Sequence, residues 1–312
     1  MVKKPIRGAV LDLGSNSFKF MLAEQCGGVL RVHKEKLWTT RLGGSVATTE
    51  KLQAEAIRRS LRVLQECRQH AEQFQAESFV AVGTSALRSA SNRREFLDPA
   101  RRVLGFPVRV ISGKAEAELI YEGVASHPRW QKEEIVLLDL GGGSLEGMNG
   151  KKGRFASGKT LPLGCVRMRD LLLPRPPYAP DEIEKARIYL AQKLRPLARL
   201  APSPCFKLLA SGGTMTALCT MRHRSELEGC CLKRATMLRF LHQLAPLSLA
   251  QLKRAPRLQR DRADIIVPGL LTLLAAMDVL GKDALYCSTR GLRHGVWRRW
   301  IGQPFARIQY TH

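Results

Sequence analysis

Two stretches of this chain are written to one plan. AVLDLGSNS occupies residues 9–17 and VLLDLGGGSLE residues 136–146, each an apolar run ending in Asp-Leu-Gly and a small-residue turn closed by Ser. A shift of 127 positions lays Asp12 on Asp139, Gly14 on Gly141 and Ser17 on Ser144. Recurrence in that register predicts an internal duplication in which each half carries a strand, a tight turn and a second strand. Glycines needed only for hairpin geometry would not bring Asp and Ser along at matched positions.

The repeat extends beyond the turns. In the first half, β-rich runs predict strands at 6–13, 17–23 and 29–37, then a helix near 50–75 with Leu52, Ala56, Leu61 and Leu64 at helical spacing and Thr49 as its N-cap. A strand at 78–83, a helix through the nineties, a strand at 108–111 and a helix at 114–125 follow. The second half restarts with strands at 134–140, 145–149 and 153–161, a helix at 181–199, a strand at 206–210, a helix at 213–221 and further helices to 280. YCST at 286–289 precedes a last helix. With 312 residues there is chain enough for two cores, set at 1–125 and 126–312, with the last helix free to pack back on the first lobe. Three antiparallel strands and then alternating α and β, duplicated, resemble the ribonuclease H-like, actin-like (ASKHA) α/β plan: two lobes with a central cleft.

The turns carry the chemistry. Gly and Ser leave successive backbone N–H groups unshielded, and such concave arrays bind phosphate oxygens. Gly14, Ser15, Asn16 and Ser17 form one candidate cradle and Gly141, Gly142, Gly143 and Ser144 the other, holding adjacent phosphates of one ligand across a cleft. Asp12 and Asp139, at the strand ends, suit Mg²⁺ or Mn²⁺ held directly or through water. A third small-residue turn, Gly212, Gly213 and Thr214, opens a helix whose N-terminus is a further anion site; close helix–strand packing is the alternative reading of that segment.

Charge narrows the partners. Fifty-one Lys+Arg against 27 Asp+Glu give +24, which favours polyanions. Eight cysteines without a C-x-x-C pair suggest neither a disulfide framework nor a zinc ribbon, and a reducing cytoplasm is expected. Cys219, His223, Cys230 and Cys231 lie close in sequence but match no zinc spacing. The apolar run 265–281 is short of the ~20 residues of a membrane span and reads as a core helix. RGLRHGVWRRW mixes basic and aromatic residues, but an amphipathic closing helix with Trp297 and Trp300 inward accounts for it, so nucleic acid is not an expected partner.

LDLGSNSFKF (11–20), GTSALR (83–88), ISGKAEAELIYEGV (111–124), LLDLGGGSLE (137–146), LPLGCVRM (161–168), ASGGTMTAL (210–218), RADIIVPG (262–269) and TRGLRHGV (289–296) together resemble the exopolyphosphatase and guanosine pentaphosphate phosphohydrolase (Ppx/GppA) family, in its order and over nearly the whole chain. The resemblance implies a hydrolase of phosphoanhydride bonds. Its catalytic carboxylate falls on Glu116, as general base for water attack on a terminal phosphorus. Glu146 matches the acid after the second turn, with a catalytic or metal-holding role beside Asp139, and Arg88 matches an arginine near the phosphates. Inorganic polyphosphate is the expected substrate. Guanosine pentaphosphate hydrolysis, or a non-catalytic sensor of guanosine tetraphosphate or polyphosphate, is the alternative.

Several residues depart from the family pattern. Ala115 stands where relatives often carry a second acid, Lys19 adds positive charge after the first turn, and His294 replaces a frequent Glu. Arg290 and Arg293 of the last segment are open to cleft, packing or surface roles. The resemblance is to the short two-lobe form, in which a long polymer path would need a homodimer groove or the basic surface itself.

Overall fold

The computed structural model describes residues 4–222, 226–302 and 307–310, so His223 lies outside the described residues. The chain divides into two compact units, Met1–Gln131 with Arg290–His312, and Lys132–Thr289.

The first unit is built on a six-stranded sheet. β1 (Ile6–Leu13), β2 (Phe18–Cys26) and β3 (Val29–Trp38) form an antiparallel meander. A four-residue α1 (Val46–Thr49) and the long α2 (Ala54–Gln73) lead to β4 (Ser78–Gly83), which pairs parallel to β1. Then come α3 (Ser85–Ser89), α4 (Arg94–Leu104), β5 (Arg109–Val110), α5 (Gly113–Ala125) and α6 (Pro128–Gln131). β1 lies between β2 and β4 and is covered on both faces, which is why IRGAVLDL reads as a nearly continuous apolar run. One face packs on α2 and α4 through Leu11, Phe20, Leu64 and Phe96.

The second unit repeats the plan. β6 (Glu134–Leu140), β7 (Leu145–Lys151) and β8 (Arg154–Leu161) form the antiparallel meander. α7 (Cys165–Leu172) and α8 (Pro180–Leu194) precede β9 (Lys207–Ser211), which runs parallel to β6. α9 (Gly213–Met221), β10 (Cys231–Lys233), α10 (Arg234–Leu244), α11 (Leu249–Leu252), α12 (Ile266–Leu280) and β11 (Ala284–Cys287) complete it. Strand order 3-2-1-4-5 in the first sheet recurs as 8-7-6-9-11 in the second, the duplicated ribonuclease H-like arrangement. α12 is buried along nearly its whole length, as a helix apolar all round must be. Among the described residues no helix is long and apolar enough to cross a membrane.

α13 (Leu292–Trp300) belongs to the first unit, where it packs on α5 and β1, and β12 (Arg307–Tyr310) pairs parallel to β3. Glycine makes the α5–α13 crossing possible. A methyl on Gly123 would collide with the Gly291 carbonyl, and one on Gly295 with the Leu119 carbonyl. Arg290 is buried and donates to Ser126 Oγ at 2.7 Å, while Arg293 donates to the Phe20 carbonyl at 3.1 Å and pairs with Glu35.

The expected elements differ from the observed ones in local detail. The N-cap of α2 is Gln53, because Thr49 is used in α1. The helix expected at 181–199 is α8 followed by a 3-10 turn over Arg195–Leu200, since Pro196 has no N–H to continue the α-helical ladder. α7 and the short β10 were not anticipated. Trp297 is fully buried, but Trp300 is only half-buried and stacks with Arg109.

Two measurements test this packing. Gly295→Ala should lower stability by about 3 kcal/mol or more, because backbone cannot yield as a side chain can, whereas Gly28→Ala, at an open position, should change it by less than about 1 kcal/mol in the same urea titration. His294 is buried beside Arg290 and Arg293, its Nε2 has no hydrogen-bond partner among the described residues, and burial, reinforced by the two arginines, holds its pKa well below the ordinary 6.5. Below pH 6.5 the unfolded chain takes up this proton and the folded chain does not. Stability should therefore fall with falling pH by up to about 1.4 kcal/mol per unit, and His294→Leu should remove that component of the slope.

Candidate functional site

The turn after β1 is held from its carbonyl side. The Ser15 and Asn16 carbonyls accept from the amides of Gly43 and Arg41, each at 2.8 Å. Among the described residues, no amide of Gly14–Ser17 donates to a backbone carbonyl. Ser15, Asn16 and Ser17 are all buried, and Ser15 Oγ has no hydrogen-bond partner among the described residues. A turn buried with its donors unspent is costly unless an acceptor arrives. Asp12, opposite Lys19 across the β1–β2 ladder, meets the Lys19 ammonium at 3.9 Å.

The turn after β6 repeats this arrangement with a different support. The Gly141 carbonyl accepts from Cys165 N at 2.9 Å, and that of Gly142 from Val166 N and Arg167 N at 2.9 and 3.1 Å. These donors are the otherwise orphaned first amides of α7. Gly164 permits the approach, because any side chain there would strike the backbone of Gly142 and Gly143. Gly141 N bonds back to Ser144 O at 3.0 Å, while the amides of Gly142, Gly143 and Ser144 donate to no backbone carbonyl among the described residues.

Asp139 and Glu146 are direct partners across the β6–β7 ladder, so their side chains leave the sheet on one face. Ser211 Oγ donates to Asp139, and Glu146 is almost fully buried. Among the described residues no group of three or more His, Cys, Asp and Glu converges on a metal position. A pair of carboxylates nonetheless suits Mg²⁺, which is commonly held by one or two carboxylates plus water and phosphate oxygens. Asp12, in the other unit, has a lysine rather than a second acid opposite it.

The third turn needs its glycines. Gly212 has φ 97°, and a Cβ there would lie 2.7 Å from the Leu140 carbonyl. Gly213, the first residue of α9, makes room for the guanidinium of Arg262, which any side chain at 213 would displace. Arg262 is 9% exposed, its Nε donates to Gln259 at 3.1 Å, and burial pulls its pKa below the ordinary arginine value. A buried guanidinium beside the open N-terminus of a helix is doubly suited to an anion. The repeat in the sequence does not reach Arg262 or the amides of α7. The segments RADIIVPG and LPLGCVRM contain them, but the signal is the glycine opposite each, visible only as a contact.

Glu116 sits in the first turn of α5. Ser112 caps this helix by accepting from Ala115 N at 3.2 Å, and Ser112 O accepts from Glu116 N at 2.9 Å, so Ser-Gly-x-x-Glu sets the carboxylate one turn in. The side chain is buried, and Arg88 from α3 donates to its Oε2 while also donating to the Ile111 carbonyl at 3.2 Å. Within the first unit, then, Arg88 and Glu116 meet directly and Asp12 meets Lys19. Within the second, Asp139, Glu146 and Ser211 are grouped, as are Arg262 and Gly213.

Comparisons with known proteins give the family and the fold. Residues 22–303 match the model of the Ppx/GppA phosphatase family. The chain is 28% identical to a putative exopolyphosphatase of Haemophilus influenzae, over 92% of this chain and 89% of that one. The crystal structure of the Aquifex aeolicus member of the Ppx/GppA family superposes with a TM-score of 0.78 at 27% identity, covering 94% of this chain and 96% of that one. An exopolyphosphatase from Cytophaga hutchinsonii shares the fold, with a TM-score of 0.86 at 24% identity over 93% and 96%. A match over most of its length, with the same two-sheet architecture, makes this chain a member of the Ppx/GppA phosphatase family and hence a hydrolase.

Proposed function

We propose that this protein is an exopolyphosphatase, releasing orthophosphate from the end of inorganic polyphosphate by attack of water. The observation that carries the reading is the buried Glu116 carboxylate, oriented by the Arg88 guanidinium at the start of α5. The unspent amides of the small-residue turns and the charge of +24 support a polyanionic substrate.

In this reading Glu116 orients a water and takes its proton as the oxygen bonds to the terminal phosphorus. The bond from that phosphorus to its bridging oxygen breaks, and the shortened polyphosphate leaves with the bonding pair. Arg88 fixes the carboxylate and offers positive charge to the phosphoryl oxygens as the bond order shifts. The amides of residues 14–17 and 142–144 and the N-terminus of α9 bind phosphate oxygens. Asp139 and Glu146 would hold Mg²⁺ or Mn²⁺, which when bound neutralises phosphate charge.

Glu116→Gln should lower kcat for phosphate release by about 10²–10⁴-fold while long-chain polyphosphate still binds; release at the parent rate would remove Glu116 from the mechanism. Phosphate release from guanosine pentaphosphate, measured in parallel, should be slower than from polyphosphate, and the reverse order would transfer the assignment to the nucleotide. Asp139→Asn or Glu146→Gln should raise the Mg²⁺ concentration for half-maximal activity by roughly tenfold or more, and an unchanged Mg²⁺ dependence would exclude that pair as the ion's ligands.

A further inference from the structure

The segment between α11 and α12 contains five cations, Lys253, Arg254, Arg257, Arg260 and Arg262, against two acids, Asp261 and Asp264, the second of which is taken by Arg169. It is not a loose tail. Arg254 N bonds to Gln251 O, Leu258 N to Ala255 O and Arg262 N to Gln259 O in successive turns, at 2.9–3.2 Å. Leu252 and Leu258 anchor it in the core of the second unit. With the apolar positions turned in, Lys253, Arg254, Arg257 and Arg260 are exposed. None of these four side chains has an ion-pair or hydrogen-bonding partner among the described residues. Elsewhere, arginines such as Arg169, Arg187, Arg234 and Arg299 meet carboxylates.

The strip ends on the candidate site. Arg262, its last cation, lies against Gly213 in the third turn. Arg260 is two residues away and Arg257 five, at most about 18 Å of chain. Four exposed cations without ion-pair partners among the described residues, spaced along the chain that leads to Arg262, match an anion that is itself linear. Residues 249–264 include no Phe, Tyr, Trp or His, so the strip offers bases no aromatic platform to stack on. That composition favours a phosphate polymer without bases over single-stranded nucleic acid.

We propose that Lys253, Arg254, Arg257 and Arg260 form a docking track for the distal part of a linear inorganic polyphosphate whose proximal part reaches Arg262 and the Gly212–Thr214 turn. The proposal rests on the polyphosphate reading above and adds a site that selects for chain length. Tripolyphosphate is too short to lie along the track while being turned over. Long chains gain affinity from it through counterion release, which makes that gain salt-dependent.

The test compares the full-length parent with a variant carrying Lys253→Gln, Arg254→Gln, Arg257→Gln and Arg260→Gln. Binding of long-chain polyphosphate and hydrolysis of tripolyphosphate are both measured. By the single-strand value of about 0.7 per contact, the variant's slope of log Kd against log salt should be flatter by about 3, so that its affinity deficit is roughly fiftyfold larger at about 50 mM salt than at 200 mM. Its kcat and KM for tripolyphosphate should stay within about twofold of the parent's, as expected when only distant exposed charges change. A second variant with Arg254→Lys, Arg257→Lys and Arg260→Lys should bind the polymer as the parent does, separating charge from fold. Unchanged long-chain affinity in the Gln variant, or equal losses on long and short substrates, would overturn the track. So would single-stranded RNA of matched charge competing as well as the polymer, since the partner would then be nucleic acid. If the parent binds the polymer with the expected slope but releases no phosphate from any chain, the track stands and the activity assignment alone fails.

Discussion

Hydrogen bonds behind the two small-residue turns organise the rest of this molecule. Each turn has two kinds of backbone group, and in both the carbonyls are engaged by amides from a neighbouring segment, Arg41 and Gly43 in one unit and the first residues of α7 in the other. With the carbonyls occupied, the turn cannot flip to present oxygen, and its remaining N–H groups become a fixed positive surface. The sheets place the turns at the carboxyl ends of β1 and β6, and the supporting segments hold their orientation.

The surroundings of the turns follow from how closely backbone can approach backbone. Gly164 lets α7 reach the second turn, Gly213 admits the Arg262 guanidinium, and Gly123 and Gly295 let α5 and α13 cross nearly backbone to backbone. Each glycine gives up side-chain packing for proximity, a sound exchange where a hydrogen bond or a charge has to arrive. The α5–α13 crossing also bears on the chemistry, because α5 carries Glu116 in its first turn and α13 buttresses that helix along its length.

Electrostatics divide along burial. Among the acids of the candidate site, Glu116 is buried and engaged by Arg88, and Asp139 is half-buried and engaged by Ser211. Most of the excess positive charge is exposed, and part of it, as between α11 and α12, is unneutralised. Burial makes a charge specific, because desolvation must be repaid by fixed partners. Exposure makes it long-ranged and salt-sensitive. The molecule has both kinds, with Arg262 at the junction between them.

Much of this was legible in the residues. Runs of strand-forming residues identified the meanders β1–β3 and β6–β8, and the matched positions of Asp12 with Asp139 and Ser17 with Ser144 identified the duplication. The helix expected at 114–125 already carried Glu116 in its first turn, as α5 does. Such features are local: a turn, a cap or a strand declares itself within a few residues. Hidden from the sequence were α7, the ladder pairing of Asp139 with Glu146 and the placement of Arg262 against Gly213. Each depends on which distant backbone a glycine allows to approach, or on strand register. The chain by itself determined which groups could bind phosphate, because donor chemistry resides in residue type. Only the tertiary structure decided which donors remain unspent, because that depends on what each carbonyl and carboxylate has already met.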